Sequence, residues 1–108
     1  MTKPSEEVHR VAPQRNDVLA VLRKMKPILQ EKYGVTQLGI FGSVARDEAT
    51  DRSDVDIVFD IEKPHLFTFV HIKDDLEAEL NVPVDLIHYR ARMNTYLKAR
   101  IEREAMYV

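Results

Sequence analysis

One stretch constrains this chain more than any other: "SDVDIVFDI", residues 53–61, where acidic and apolar side chains alternate. A period of two is the signature of a β-strand, because successive side chains point to opposite faces. Asp54 to Ile61 is therefore predicted as a strand, with Val55, Ile57 and Phe59 on one face and Asp54 and Asp56 together on the other. At roughly 3.3 Å per residue the two acids lie about 6.6 Å apart along the chain. Unit charges about 7 Å apart repel by roughly 2.4 kcal/mol at an effective dielectric of 20, but by only about 0.6 kcal/mol in open water. A solvated polar face would tolerate that.

Asp85 points the other way. It interrupts a second apolar run, Val84-Asp85-Leu86-Ile87, which a neighbouring strand would carry to the same face. Three converging, partly desolvated carboxylates would cost several kcal/mol against a typical stability of roughly 5–15 kcal/mol. Divalent cations remove that penalty. Mg²⁺ takes carboxylate oxygens together with substrate phosphates, and two such ions about 3.5–4 Å apart serve an in-line displacement. Spacing alone leaves both readings open, a metal centre at Asp54, Asp56 and Asp85 or an amphipathic strand.

The rest of the chain reads as one domain built around these strands. At 108 residues and 44% apolar content it is long enough to bury a core. Helical spacing runs from Pro13 to Tyr33, with Asn16 or Asp17 as cap, Pro27 as a kink and Gly34 at the C′ position. Gln37 to Phe41 reads as a strand, Ser43 to Ala49 as a short helix, and Pro64 to Leu80 as a helix with a stripe of Leu66, Phe69, Val70, Leu76 and Leu80. Val82 to Tyr89 reads as a third strand and Thr95 to Ala105 as a closing helix. The order α-β-α-β-α-β-α implies a small sheet covered by helices. The first dozen residues, polar with two prolines, are expected to fray, leaving residues 13–108 as the domain.

Composition narrows the function classes. The net charge is −2 with no basic tract, so nothing suggests direct contact with nucleic acid or an anionic membrane. There is no cysteine, hence no disulfide, thiolate metal site or Cys nucleophile. Neither a signal peptide nor a membrane span is encoded, and a cytoplasmic protein is expected. His9, His65, His71 and His88 lack metal-ligand spacing, and His88 is expected to face away from Asp85. Tyr89, Tyr96 and Tyr107 are candidates for contact with a partner or for boundary packing.

A second constellation precedes the acids. Gly42 lets the backbone bend and a phosphate approach closely, and a helix beginning at Ser43 would turn free N–H groups and a hydroxyl toward an anion. Arg46, three residues on, shares the helical face of Ser43, where it would either touch phosphate oxygens or pair with Glu48. Glu48 is alternatively a partner for Arg52.

Taken together, Phe41-Gly42-Ser43, ten intervening residues, Asp54-Val55-Asp56-Ile57 and later Val84-Asp85-Leu86 resemble the DNA polymerase β-type nucleotidyltransferase superfamily. The longer string "GSVARDEATDRSDVDIV" is similar to the minimal nucleotidyltransferases (MNT), except that Asp47 stands where that family favours Gly. The likeness extends over about residues 35–108. It implies an α/β (α+β) fold, a small mixed sheet of about three strands flanked by helices. It further implies that Asp54 and Asp56 hold two Mg²⁺ ions on the triphosphate of ATP, and that Asp85 holds the catalytic ion and helps deprotonate the acceptor hydroxyl. Gly42 and Ser43 would cradle the β- and γ-phosphates, with Arg46, from its helical spacing, as a further nucleotide-binding candidate. Because the chain ends about twenty residues after Asp85, either a partner is expected to supply the acceptor or the acceptor is small. Proteins of this family are typically type VII-like antitoxins that transfer AMP to a tyrosine of a HEPN-domain RNase toxin. A purely masking antitoxin and a free-standing enzyme acting on a small hydroxylated compound are the alternatives.

Overall fold

The computed structural model describes residues 11–108, so most of the predicted frayed N-terminus, His9 included, lies outside the described residues. Helix α1 (Arg15–Tyr33) buries Val18, Leu19, Leu22, Met25 and Leu29, while Ile28, another of its apolar positions, is 45% exposed and Pro27 lies inside the helix on its exposed side. Its N-cap is Gln14 rather than Asn16 or Asp17, and Gln14 makes no side-chain capping bond. Asp17 instead stands in the first turn, where its charge favours the helix dipole. Gly34 closes the helix in the left-handed region at φ +79°, its N–H bonded to the Gln30 carbonyl.

Strand β1 (Val35–Phe41) leads into a single turn of helix, α2 (Gly42–Ala45), shorter than the predicted Ser43–Ala49. Strand β2 (Val55–Ile61) pairs antiparallel with β1, and α3 (Leu66–Leu80) then crosses to β3 (Val84–His88), which pairs parallel with β2. Helix α4 (Thr95–Glu104) and a short strand β4 (Met106–Tyr107) follow, and β4 pairs antiparallel with β1. The result is a mixed four-stranded sheet in the order β3-β2-β1-β4, one strand more than expected. Asn94 caps α4 by accepting the Leu97 N–H at 2.9 Å.

Alternation divides the sheet between two cores. Leu38, Ile40, Val55, Ile57, Phe59 and Val84 pack with α1 and with Ile72 and Leu76 of α3. Phe41 and Val58 face the opposite way, onto Ile101 of α4, with Ile87, Met93 and Leu97 around them. The stripe read for α3 is corrected in part: Leu76 is buried and Phe69 and Leu80 pack against the core, but Leu66 and Val70 are 78% and 56% exposed and Ile72, outside the stripe, is fully buried. No described helix is long and apolar enough to cross a membrane.

Candidate active site

The acids lie on the α4 side of the sheet. Parallel pairing puts Asp56 of β2 directly opposite Asp85 of β3, and antiparallel pairing puts Asp56 opposite Phe41, the last residue of β1. Neighbouring strands are about 4.8 Å apart, so Asp56 and Asp85 are closer than two acids on the same face of one strand, about 6.6 Å apart, could be. Asp54 lies just before β2, two residues from Asp56, and is exposed, as is Asp85. His88 stands in register with Phe59, on the other face, where its ring packs against Phe59 and Phe69 and meets Asp60 at 3.1 Å.

Asp56, half-buried, sits less comfortably than a carboxylate on an open, solvated strand. Burial comes first in pushing the Asp56 carboxyl up from its ordinary 3.8 to about 6; the Asp85 charge comes next, and Asp54 adds to it. Arg100 and Arg46 pull the other way and are outweighed. Asp56 is thus a carboxyl whose surroundings resist its negative charge. A cation would relieve that.

Gly42 completes the geometry. Its φ is +76°, a conformation that side chains with a Cβ rarely adopt, and an added Cβ would collide with the Asp56 carboxylate. The turn after β1 therefore rests directly on one of the acids. Ser43 follows at the surface of the site, and among the described residues its hydroxyl has no hydrogen-bond partner. With only four residues, α2 has little macrodipole, so any anion here is held by local N–H groups and the hydroxyl. Asp47, at the position where the family favours Gly, has φ +62°. The left-handed turn explains that preference, and Asp is among the few other residues that tolerate it.

Arg46 is engaged within the protein. Its Nε donates to Glu48 at 2.9 Å and its Nη1 to Glu104 at 3.1 Å. Glu48 thus pairs with Arg46, not with Arg52. Glu104 also accepts the Gly42 N–H at 3.0 Å, and Arg100 stands 3.7 Å from the same oxygen, with its guanidinium 5.7 Å from the centre of the Phe41 ring. Sequence reasoning passed over both α4 residues. Their i,i+4 spacing is the only trace, and it reads as an ordinary surface pair.

Among the described residues no three His, Cys, Asp or Glu side chains form a ready-made metal cage. The donor set nevertheless suits Mg²⁺, which binds through one or two carboxylates and completes its octahedron with water and substrate phosphates. Asp56 and Asp85 supply hard oxygen donors side by side, and Asp54 adds a third acid at the rim.

The profile of the nucleotidyltransferase domain family matches residues 22–108. Protein adenylyltransferase MntA of Thermococcus cleftensis is 37% identical over 93 residues, which cover 85% of this chain and 93% of that protein. A solved structure of a presumed minimal nucleotidyltransferase superposes with a TM-score of 0.71 at 30% identity, over 87% of this chain and 95% of the other. The fold also matches a Shewanella oneidensis complex described as a tri-AMPylated HEPN toxin with an MNT antitoxin, with a TM-score of 0.55, 19% identity and 86% of this chain and 67% of that one covered. With an acid pair in register across two parallel strands and a glycine turn seated on it, this chain belongs to the nucleotidyltransferase domain family, among its minimal members.

Proposed function

We propose that the chain is an MntA-type antitoxin of the cytoplasm, which transfers AMP from ATP to a tyrosine hydroxyl of a cognate HEPN-domain RNase toxin and so silences it. The 37% identity to a protein adenylyltransferase supports the reaction class, and the AMPylated toxin in the matched complex supports the kind of acceptor. The observation that carries the reading is the in-register Asp56–Asp85 pair beside the Gly42 turn.

Asp54, Asp56 and Asp85 would hold Mg²⁺, two ions in this reading, which when bound neutralise the acids and the triphosphate and polarise the reacting phosphoryl group. The chain's own residues supply position and proton transfer. The Gly42–Ser43 turn, free of a Cβ at its first residue, admits the β- and γ-phosphates, and the Ser43 hydroxyl donates to a phosphate oxygen. Asp85, exposed on the edge strand, is open to an incoming protein hydroxyl and accepts its proton as the oxygen attacks the α-phosphorus. The O–P bond forms as the bond to pyrophosphate breaks. Arg100, beside Asp56, offers positive charge to the phosphate side of the site.

The test is the Asp54→Asn, Asp56→Asn double variant expressed with the toxin. Intact-mass spectrometry is expected to show AMP on the toxin with the wild-type chain and none with the variant, and growth inhibition is expected to return. A variant that still neutralises the toxin without any gain of AMP would establish masking by contact as the function. Labelled ATP turned over on small hydroxylated compounds, with no label on the toxin, would replace the acceptor.

A further inference from the structure

Glu104 takes no part in the mechanism above, yet it touches two of the site's elements at once. Its side chain, only 10% exposed, lies at the last residue of α4. One oxygen accepts the Gly42 N–H at 3.0 Å and the Arg46 guanidinium at 3.1 Å, and Arg100 stands 3.7 Å from it. Arg103 is 3.6 Å from the other oxygen. Burial works to raise this carboxyl, but the Gly42 N–H and then Arg46, Arg100 and Arg103 outweigh it and hold it below the usual carboxylate range. The group is a charged anchor, its side chain largely covered by the groups that it binds.

What it anchors is the turn that rests on Asp56. Gly42 is gripped from one side by Glu104 through its N–H, while its α-carbon abuts the Asp56 carboxylate on the other. Arg46, four residues on, is pulled to the same oxygen and closes the short helix against α4. We propose that Glu104 is a positioning residue for nucleotide binding: it sets the distance and tilt of the Gly42–Ser43 turn relative to Asp56, and Arg46 serves as a strut of that turn instead of a phosphate ligand. The proposal rests on the nucleotidyltransferase reading of the site.

Two variants separate this from a merely structural role. Glu104→Ala removes both hydrogen bonds; Glu104→Gln keeps a carbonyl oxygen able to accept them. Binding of AMP-PNP with Mg²⁺ is measured by calorimetry, and hydrogen exchange of the Gly42 amide by NMR. Glu104→Ala is expected to weaken AMP-PNP binding about tenfold and to lose protection at Gly42, while Glu104→Gln stays within about threefold of wild type. Should the Ala variant not fold, Glu104→Asp, one methylene too short to reach the turn, is expected to show the same losses. Unchanged affinity in the Ala or Asp variant overturns the proposal. So does tighter binding, which would mean that Glu104 had been withholding Arg46 from the phosphate. Equal loss of thermal stability in the Ala and Gln variants, with no separation in affinity, overturns it too. A wild-type chain that does not bind AMP-PNP at all sinks the nucleotidyltransferase reading, and the proposal with it; a wild-type chain that binds, beside a variant that binds equally, sinks the proposal alone.

Discussion

Asp56 carries the sharpest conflict between stability and activity in the chain. Its folded-state pKa, about 6, lies above the ordinary 3.8, so the folded protein holds this proton more tightly than the unfolded one. The resulting stability is fully present below about pH 4 and is lost as pH rises through about 6. Asp56→Asn, which mimics the protonated acid, is expected to flatten that slope. It should make the metal-free chain more stable at pH 7 by about 1 kcal/mol, once the half exposure of Asp56 to water is allowed for, while abolishing AMP transfer. Urea denaturation at pH 4, 5, 6 and 7 in the presence of a chelator measures it; equal slopes for variant and wild type would mean the acid is not perturbed. This residue was legible in the sequence because alternation is a local property: Asp56 and Asp85 each interrupt apolar residues, and Asp54 shares the parity of Asp56. Glu104 was not, because its meaning comes from a turn 62 residues away along the chain. A glutamate near the end of a charged helix carries no mark of what it will meet.

Among the elements, β4 escaped a reading that found the other three strands. Met106 and Tyr107 form too short a segment to show any period, and pairing with β1 depends on Gly39. A Cβ there would lie 2.6 Å from the Met106 carbonyl oxygen and 3.0 Å from the Tyr107 α-carbon, so the absence of a side chain on β1 is what admits the fourth strand. Gly39→Ala is expected to push β4 off the sheet and to destabilise the chain by roughly 1–3 kcal/mol. Loss of hydrogen-exchange protection at the Val108 amide, which now donates to the Leu38 carbonyl at 2.9 Å, would report it directly. The α3 stripe differs in Leu66, Val70 and Ile72 for a related reason. The helix has two apolar rows, Leu66-Phe67-Val70 and Phe69-Ile72-Leu76, and helical spacing fits both; only the position of α1 and the sheet selects the second. Strands were easier, since a period of two leaves one apolar face to choose.

At the scale of the whole molecule, a ligand that offsets the Asp56 charge is expected to stabilise the fold. Ligands that bind only the folded state stabilise it by mass action, about 2.7 kcal/mol at one hundred times the dissociation constant. Mg²⁺ with AMP-PNP at that excess is expected to raise the melting temperature by roughly 10 °C, and the Asp54→Asn, Asp56→Asn variant is expected to show almost no rise. Scanning fluorimetry with each ligand alone and with both distinguishes metal binding from nucleotide binding. A wild-type chain whose melting point ignores both would argue that the acids serve no ligand.

The parallel union of β2 with β3 has a consequence for when the acid couple is assembled during folding. Asp56 and Asp85 sit on strands joined only by the α3 crossover, and distant pairing of this kind matures late because its loop must be closed first. A nascent chain with β1 and β2 already zipped still lacks half of its acid couple, which is complete only when β3 docks.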